Sequence, residues 1–221
     1  MTKSDDSWSG KPRKITELER GDHHHLTEGD ECYFVGEYTP RAGFAHSATN
    51  QLISNLKKKP STRGTFQWKY KVQAIGDAAA ALASSLNPAS LGSCVFVPIP
   101  PSKLPDDAEY DDRMAKVCRA IHPTANVLEL VTLAQARDAA HENDDTRDPD
   151  ALRAKLRLAV SMLETLPPIV FLVDDMLTTG CSFRACKDLI LEHAPESRVI
   201  GFFISRRVPT SGFEAINIDD W

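Results

Sequence analysis

The sequence predicts an α/β fold, an open, mostly parallel twisted sheet flanked by helices, on three observations. Ile169, Val170, Phe171, Leu172 and Val173 form an unbroken apolar run, mostly β-branched, with the continuity of a strand buried on both faces. Two similar runs, at residues 94–97 and 199–204, supply further buried strands. Between such runs lie stretches with helical spacing, as at Phe183, Cys186, Leu189 and Ile190.

Residues 1–30 are polar, show little apolar periodicity and read as a loosely ordered arm; residues 31–221 read as one domain. His23, His24 and His25 invite a metal reading, but three adjacent side chains cannot face one way, and a solvated turn is expected. Residues 32–38 suit an edge strand. Ala48, Leu52, Ile53 and Leu56 recur at helical spacing before Lys57, Lys58 and Lys59, whose charges suit the negative end of the helix dipole, and Pro60. Residues 61–70 interleave Arg63 and Lys69 with Phe66, Trp68 and Tyr70. That pattern serves stacking on single-stranded nucleic acid or, as expected here, packing on the domain.

An alanine-rich helix is expected over residues 72–86, ended by Asn87 and Pro88. The strand at 94–97 runs into the stiff loop Pro98-Ile99-Pro100-Pro101-Ser102-Lys103. A helix over 111–121 turns Met114, Val117, Cys118 and Ile121 inward, and a strand is expected over 127–133. Residues 134–150 are charged and have no buried-face period. A helix over 151–166, the strand at 169–173, a helix reaching His193 and a last strand over 199–204 complete the fold, with an irregular tail after residue 207. If the last two strands are parallel, Arg206 and Arg207 share a rim with Asp174 and Asp175.

The chemistry concentrates after residue 173. Asp174 and Asp175 stand at the C-terminal end of a strand, where open α/β sheets place their ligands. Thr178, Thr179, Gly180, Cys181 and Ser182 then lead into a helix N-terminus. Backbone N–H groups, the positive end of the helix dipole and small hydroxyls converge there on an anion, and Gly180 admits it close to the backbone. Two carboxylates beside a phosphate make sense if the ligand also offers hydroxyls, as ribose 5-phosphate does, or if a divalent metal bridges the groups. A Walker B strand would need a Walker A partner, and the chain contains none.

The segment Val173-Asp174-Asp175-Met176-Leu177-Thr178-Thr179-Gly180 resembles the signature of type I phosphoribosyltransferases. The order of features is also similar to that of the competence-associated, ComF-like subgroup, without the cysteine-rich ribbon usual there. The resemblance implies binding of phosphoribosyl pyrophosphate, or of a ribose 5-phosphate nucleotide, with Mg2+, and transfer of ribose 5-phosphate to a nitrogen acceptor with release of pyrophosphate. It implies that Asp174 and Asp175 organise the ribose hydroxyls and steady the reacting sugar. It assigns Thr178, Thr179, Gly180, Cys181 and Ser182 to the phosphate, and Ser102, Lys103 and Arg137 to the pyrophosphate. Residues 134–150 become a lid, and a homodimer is the candidate assembly. Two other classes remain open: a sensor that binds the same ligand without turnover, and an accessory protein of DNA uptake, repair or defence that uses residues 57–70 on nucleic acid.

Composition bounds these readings. Of 221 residues, 42% are hydrophobic and 26% charged, which is ordinary for a globular chain, and the net charge of −5 gives nucleic-acid binding no bulk support. The five cysteines contain no C-x-x-C pair, so neither a zinc ribbon nor a disulfide framework is expected. No apolar stretch is long enough to span a membrane, and the expected setting is cytoplasmic, with no membrane partner.

Overall fold

The computed structural model describes residues 8–135 and 148–209. In chain order its strands and α-helices are β1 (Trp8–Lys14), α1 (Glu17–Arg20), β2 (Glu31–Tyr38), α2 (Ala48–Leu56), α3 (Trp68–Ala83), β3 (Cys94–Pro98), α4 (Arg113–Ile121), β4 (Val131–Leu133), α5 (Pro149–Arg153), β5 (Leu156–Leu158), β6 (Ile169–Leu177), α6 (Cys181–His193) and β7 (Arg198–Arg207). The main sheet has five strands in the order β1-β2-β7-β6-β3. Strands β2, β7, β6 and β3 are mutually parallel, and β1 is antiparallel to β2. The chain is therefore an α/β protein with a mostly parallel, mixed sheet flanked by helices.

Period-two alternation divides the core. Val170 and Leu172 of β6 join Phe34, Val95 and Val97 against Phe183, Cys186 and Ile190 of α6. On the other face Val173 joins Val35, Phe96, Phe202 and Ile204 beneath α2, α3 and α4. An aromatic row crosses three strands there: the Phe96 and Phe171 rings stack 5.4 Å apart, and Phe202 lies 5.4 Å from Phe171. All five cysteines are buried, and burial pushes the Cys32 thiol up to about 12. No helix among the described residues is long and apolar enough to cross a membrane.

Five expectations are corrected. Residues 8–30 are an ordered part of the same unit, because β1 adds to the sheet by backbone pairing. This strand tolerates Pro12 and a register shift between Trp8 and Arg13 because it lies at the edge. β2 is consequently interior, hydrogen-bonded on both sides. The helix expected over 72–86 starts four residues earlier, at Trp68. The helix expected over 151–166 is instead the five-residue helix α5 capped by Asp148, followed by β5 and a 3-10 segment. Leu156 and Leu158 are buried on either side of exposed Arg157 and pair with β4, so a two-residue period prevails over the helical one. Of the strand expected over 127–133 only Val131–Leu133 forms, with Val127 bridging Phe96 at the far sheet edge. Most of the proposed lid, Arg137 included, lies outside the described residues.

Candidate functional site

β6 outlasts its apolar run, so Asp174 and Asp175 leave the core still inside the ladder, with Asp174 opposite Phe203 and Leu177 opposite Arg206 of β7. The parallel pairing places Arg206 on the same rim. It is spoken for, however, held by Glu37, Asp22 and Glu19. On the other side the Ile99 N–H extends the β3 ladder onto the Val173 carbonyl at 2.9 Å, which brings the proline loop to that rim.

The two acids differ sharply in environment. Asp175 is only 4% exposed and sits between two cations: Arg113 donates from Nε at 2.9 Å and Nη2 at 2.5 Å, and Lys57 Nζ lies 3.2 Å away. Burial alone would raise its pKa, but the Lys57 and Arg113 charges outweigh burial and hold it well below the usual carboxylate range. Asp174 is half-buried, accepts the Asp175 N–H at 2.7 Å and faces a cavity. Burial, then the neighbouring Asp175 charge, pushes it up to about 7. The network continues inward. Asp111 accepts from Arg113 Nη1 at 2.8 Å and from Lys71 Nζ at 2.7 Å. Lys71, 1% exposed, also donates to the Leu56 and Lys58 carbonyls at the end of α2. The lysine run expected to face the α2 dipole thus does something else: Lys71 of α3 caps that helix, freeing Lys57 to reach Asp175. Lys57, Arg113 and Lys71 thus answer the carboxylates of Asp111 and Asp175 in one continuous network beside Asp174.

The loop after β6 has the expected form. Gly180 is left-handed at φ 87°, and α6 starts at Cys181. Thr179 and Cys181 are buried; Thr178 and Ser182 are half-buried. The Thr179 hydroxyl accepts the Cys181 N–H at 3.4 Å. The histidine run is not a solvated turn: His23 is wholly buried, its Nδ1 bonds the Thr178 carbonyl, and the His25 N–H meets the Thr179 carbonyl at 3.0 Å.

A cavity of about 240 Å³ is lined by Pro98 to Pro101, Lys103, Tyr110, Arg113 and Asp174, among others. It unites Lys103 with Asp174, whereas Ser102 is exposed and, like residues 178–182, lies outside the lining. Lys103 is half-buried, 3.7 Å from Asp107. No group of three or more metal-ligating side chains occurs among the described residues. The donor set suits Mg2+ only as a shared ion, held by Asp174 together with ligand oxygens and water, as magnesium is commonly held at phosphate sites. The basic–aromatic segment is exposed at Phe66 (71%) and Tyr70 (39%), with Lys69 against both rings and Arg63 over Trp68. Sequence reasoning missed Lys57, Asp111, Arg113 and His23 as parts of the site. Asp-Asp-Arg ahead of a helix was the available signal for Asp111 and Arg113.

The raised Asp174 carboxyl predicts a pH dependence. Unfolded aspartate titrates near ~3.9, so between that pH and about 7 the folded chain holds the extra proton, and stability falls as pH rises through this window. Urea denaturation at about pH 5 and about pH 8 should show a flatter profile for Asp174→Asn than for the parent. Asp175 works oppositely, losing its stabilising contribution only as pH falls below ~3.9, outside that comparison.

No family model matches the chain, and no curated protein matches it.

Proposed function

We propose that the chain binds phosphoribosyl pyrophosphate with Mg2+ and transfers ribose 5-phosphate to a nitrogen acceptor, releasing pyrophosphate. One observation carries this: an acid pair at the C-terminal end of β6 is followed at once by a left-handed glycine turn into a helix N-terminus, on the rim that also bears Lys103. The fold proposed is that of the type I phosphoribosyltransferases. Under this reading residues 178–182 hold the 5-phosphate, and Asp174 accepts from the ribose hydroxyls and orients the sugar. Lys103 faces the leaving pyrophosphate, where a fixed cation stabilises developing charge. Bound Mg2+ would supply further charge neutralisation on the pyrophosphate oxygens. Asp175 serves differently from the ring contact its sequence suggests: it anchors Lys57 and Arg113 at the rim.

Asp175's engagement by two cations also favours a second reading, a sensor that binds the same ligand without turnover. Calorimetry with phosphoribosyl pyrophosphate and Mg2+, followed by a pyrophosphate-release screen over bases, separates the two. Binding with release supports the transferase, and binding without release the sensor. The variant Asp174→Asn with Asp175→Asn should weaken binding at least about tenfold, the worth of one charge-assisted hydrogen bond. An unchanged affinity would remove the carboxylates from the site. Absence of binding in the parent, with single-stranded DNA affinity lost on replacing Lys57, Lys58 and Lys59, would move the function to nucleic acid.

A further inference from the structure

We propose that residues 23–26 form a positioning strap on the 178–182 loop, with His23 as its positioning residue, turning two consecutive backbone N–H groups toward the anion. The inference rests on reading that loop as an anion cradle. In a planar trans peptide the carbonyl of one residue and the N–H of the next point in opposite directions, and the described chain has no cis peptide. The Thr178 carbonyl meets His23 Nδ1, and the Thr179 carbonyl accepts the His25 N–H. Both carbonyls therefore face the strap, and the N–H groups of Thr179 and Gly180 both face away from it. Two aligned donors at a helix N-terminus make a concave anion receptor. Without the strap each of these peptide planes could rotate and present oxygen to the ligand.

The strap is itself fixed. Leu26 lies against Gly180, with its Cδ2 only 3.0 Å from where a Cβ would stand. Asp30, its side chain fully buried, pairs with Arg184 and Lys187 of α6, and Arg184 donates to the His25 carbonyl at 3.2 Å. Strap, loop and first turns of α6 thus form one clamped body. A carbonyl can only accept, so Nδ1 of His23 carries the proton. Nε2, buried with no hydrogen-bond partner among the described residues, is then the unprotonated nitrogen, and desolvation keeps the ring neutral.

The experiment compares His23→Ala, His23→Asn and His23→Gln with the parent. It measures ribose 5-phosphate affinity by calorimetry, amide hydrogen exchange of the 178–182 peptide and the Tm. Asparagine places an amide N–H near Nδ1, and glutamine places one near Nε2. Alanine and glutamine should speed loop exchange and weaken binding about tenfold each, while asparagine restores both. Loop exchange and affinity unchanged in alanine and glutamine, with only Tm moving, would overturn the strap. If the alanine variant does not fold, the asparagine–glutamine contrast decides, and equal behaviour overturns it. A parent that binds no ribose 5-phosphate, with loop exchange still governed by residue 23, would keep the strap and remove the phosphoribosyl reading.

Discussion

Arg113→Ala should lower stability by about 3–5 kcal/mol, the penalty for stranding a buried charge, and lower the Tm by roughly 10 °C. The side chain makes two hydrogen bonds to Asp175 and one to Asp111. Its removal leaves Asp175 with Lys57 alone, a lysine whose side chain is 43% exposed and so screened by water. Asp111 keeps Lys71, so the deficit falls on Asp175, whose carboxyl should titrate higher in the variant. The contrast is Arg119, whose bond to Glu129 is just as short at 2.5 Å. Both those partners are largely exposed, and Arg119→Ala should cost under about 1 kcal/mol. Distance is the same, and burial decides. Thermal denaturation of the two variants tests this, and equal losses would show that the Asp175 network is solvated. Adding Asp175→Asn to Arg113→Ala should recover part of the loss, because the amide carries no charge to strand.

The parts legible from sequence were those whose signal is local. β6 announced itself by five apolar residues in a row, and α6 by Phe183, Cys186 and Ile190 on one face. Asp174, the glycine turn and the helix start followed from adjacency along the chain. What stayed hidden depends on partners far away in sequence. β1 contains Gly10 and Pro12 and few apolar residues; it is a strand because the backbone of β2 offers it hydrogen bonds, and no side-chain period records that. Arg113 meets Asp175 across 62 residues, and His23 meets Thr178 across 155. A solvated turn and a buried one can share the composition His-His-His, and only the surface that the turn lands on separates them. β5 was hidden for a different reason: Leu156 also continues the helical series Leu152, Ala159 and Leu163, and pairing with β4 settled the matter.

Gly201→Val should be the most damaging single substitution in the sheet, costing about 3 kcal/mol or more through overpacking. Gly201 stands in the middle of β7, opposite Cys32 of β2 and Leu172 of β6. Even a lone Cβ there would lie 2.6 Å from the Phe203 ring, 2.7 Å from Cys32 Sγ and 3.1 Å from the Phe183 ring. None of these neighbours is a loose end. Cys32, Phe203 and Phe183 are each 1% exposed, and the two rings pack edge to face 6.2 Å apart. The glycine is required by close approach, because Phe183, in the first turn of α6, sinks onto β7 where a side chain is missing. That approach sets the height of the α6 N-terminus above the rim, and with it the loop from Thr178 to Ser182. A branched side chain must therefore lift α6, so the loss should extend from stability to ligand affinity. Thermal denaturation and calorimetry on Gly201→Ala, Gly201→Val and Gly201→Ala with Cys32→Ala test the mechanism. Withdrawing the sulfur should return part of the alanine variant's Tm. A valine variant with the parent's Tm would mean that α6 does not rest on this spot.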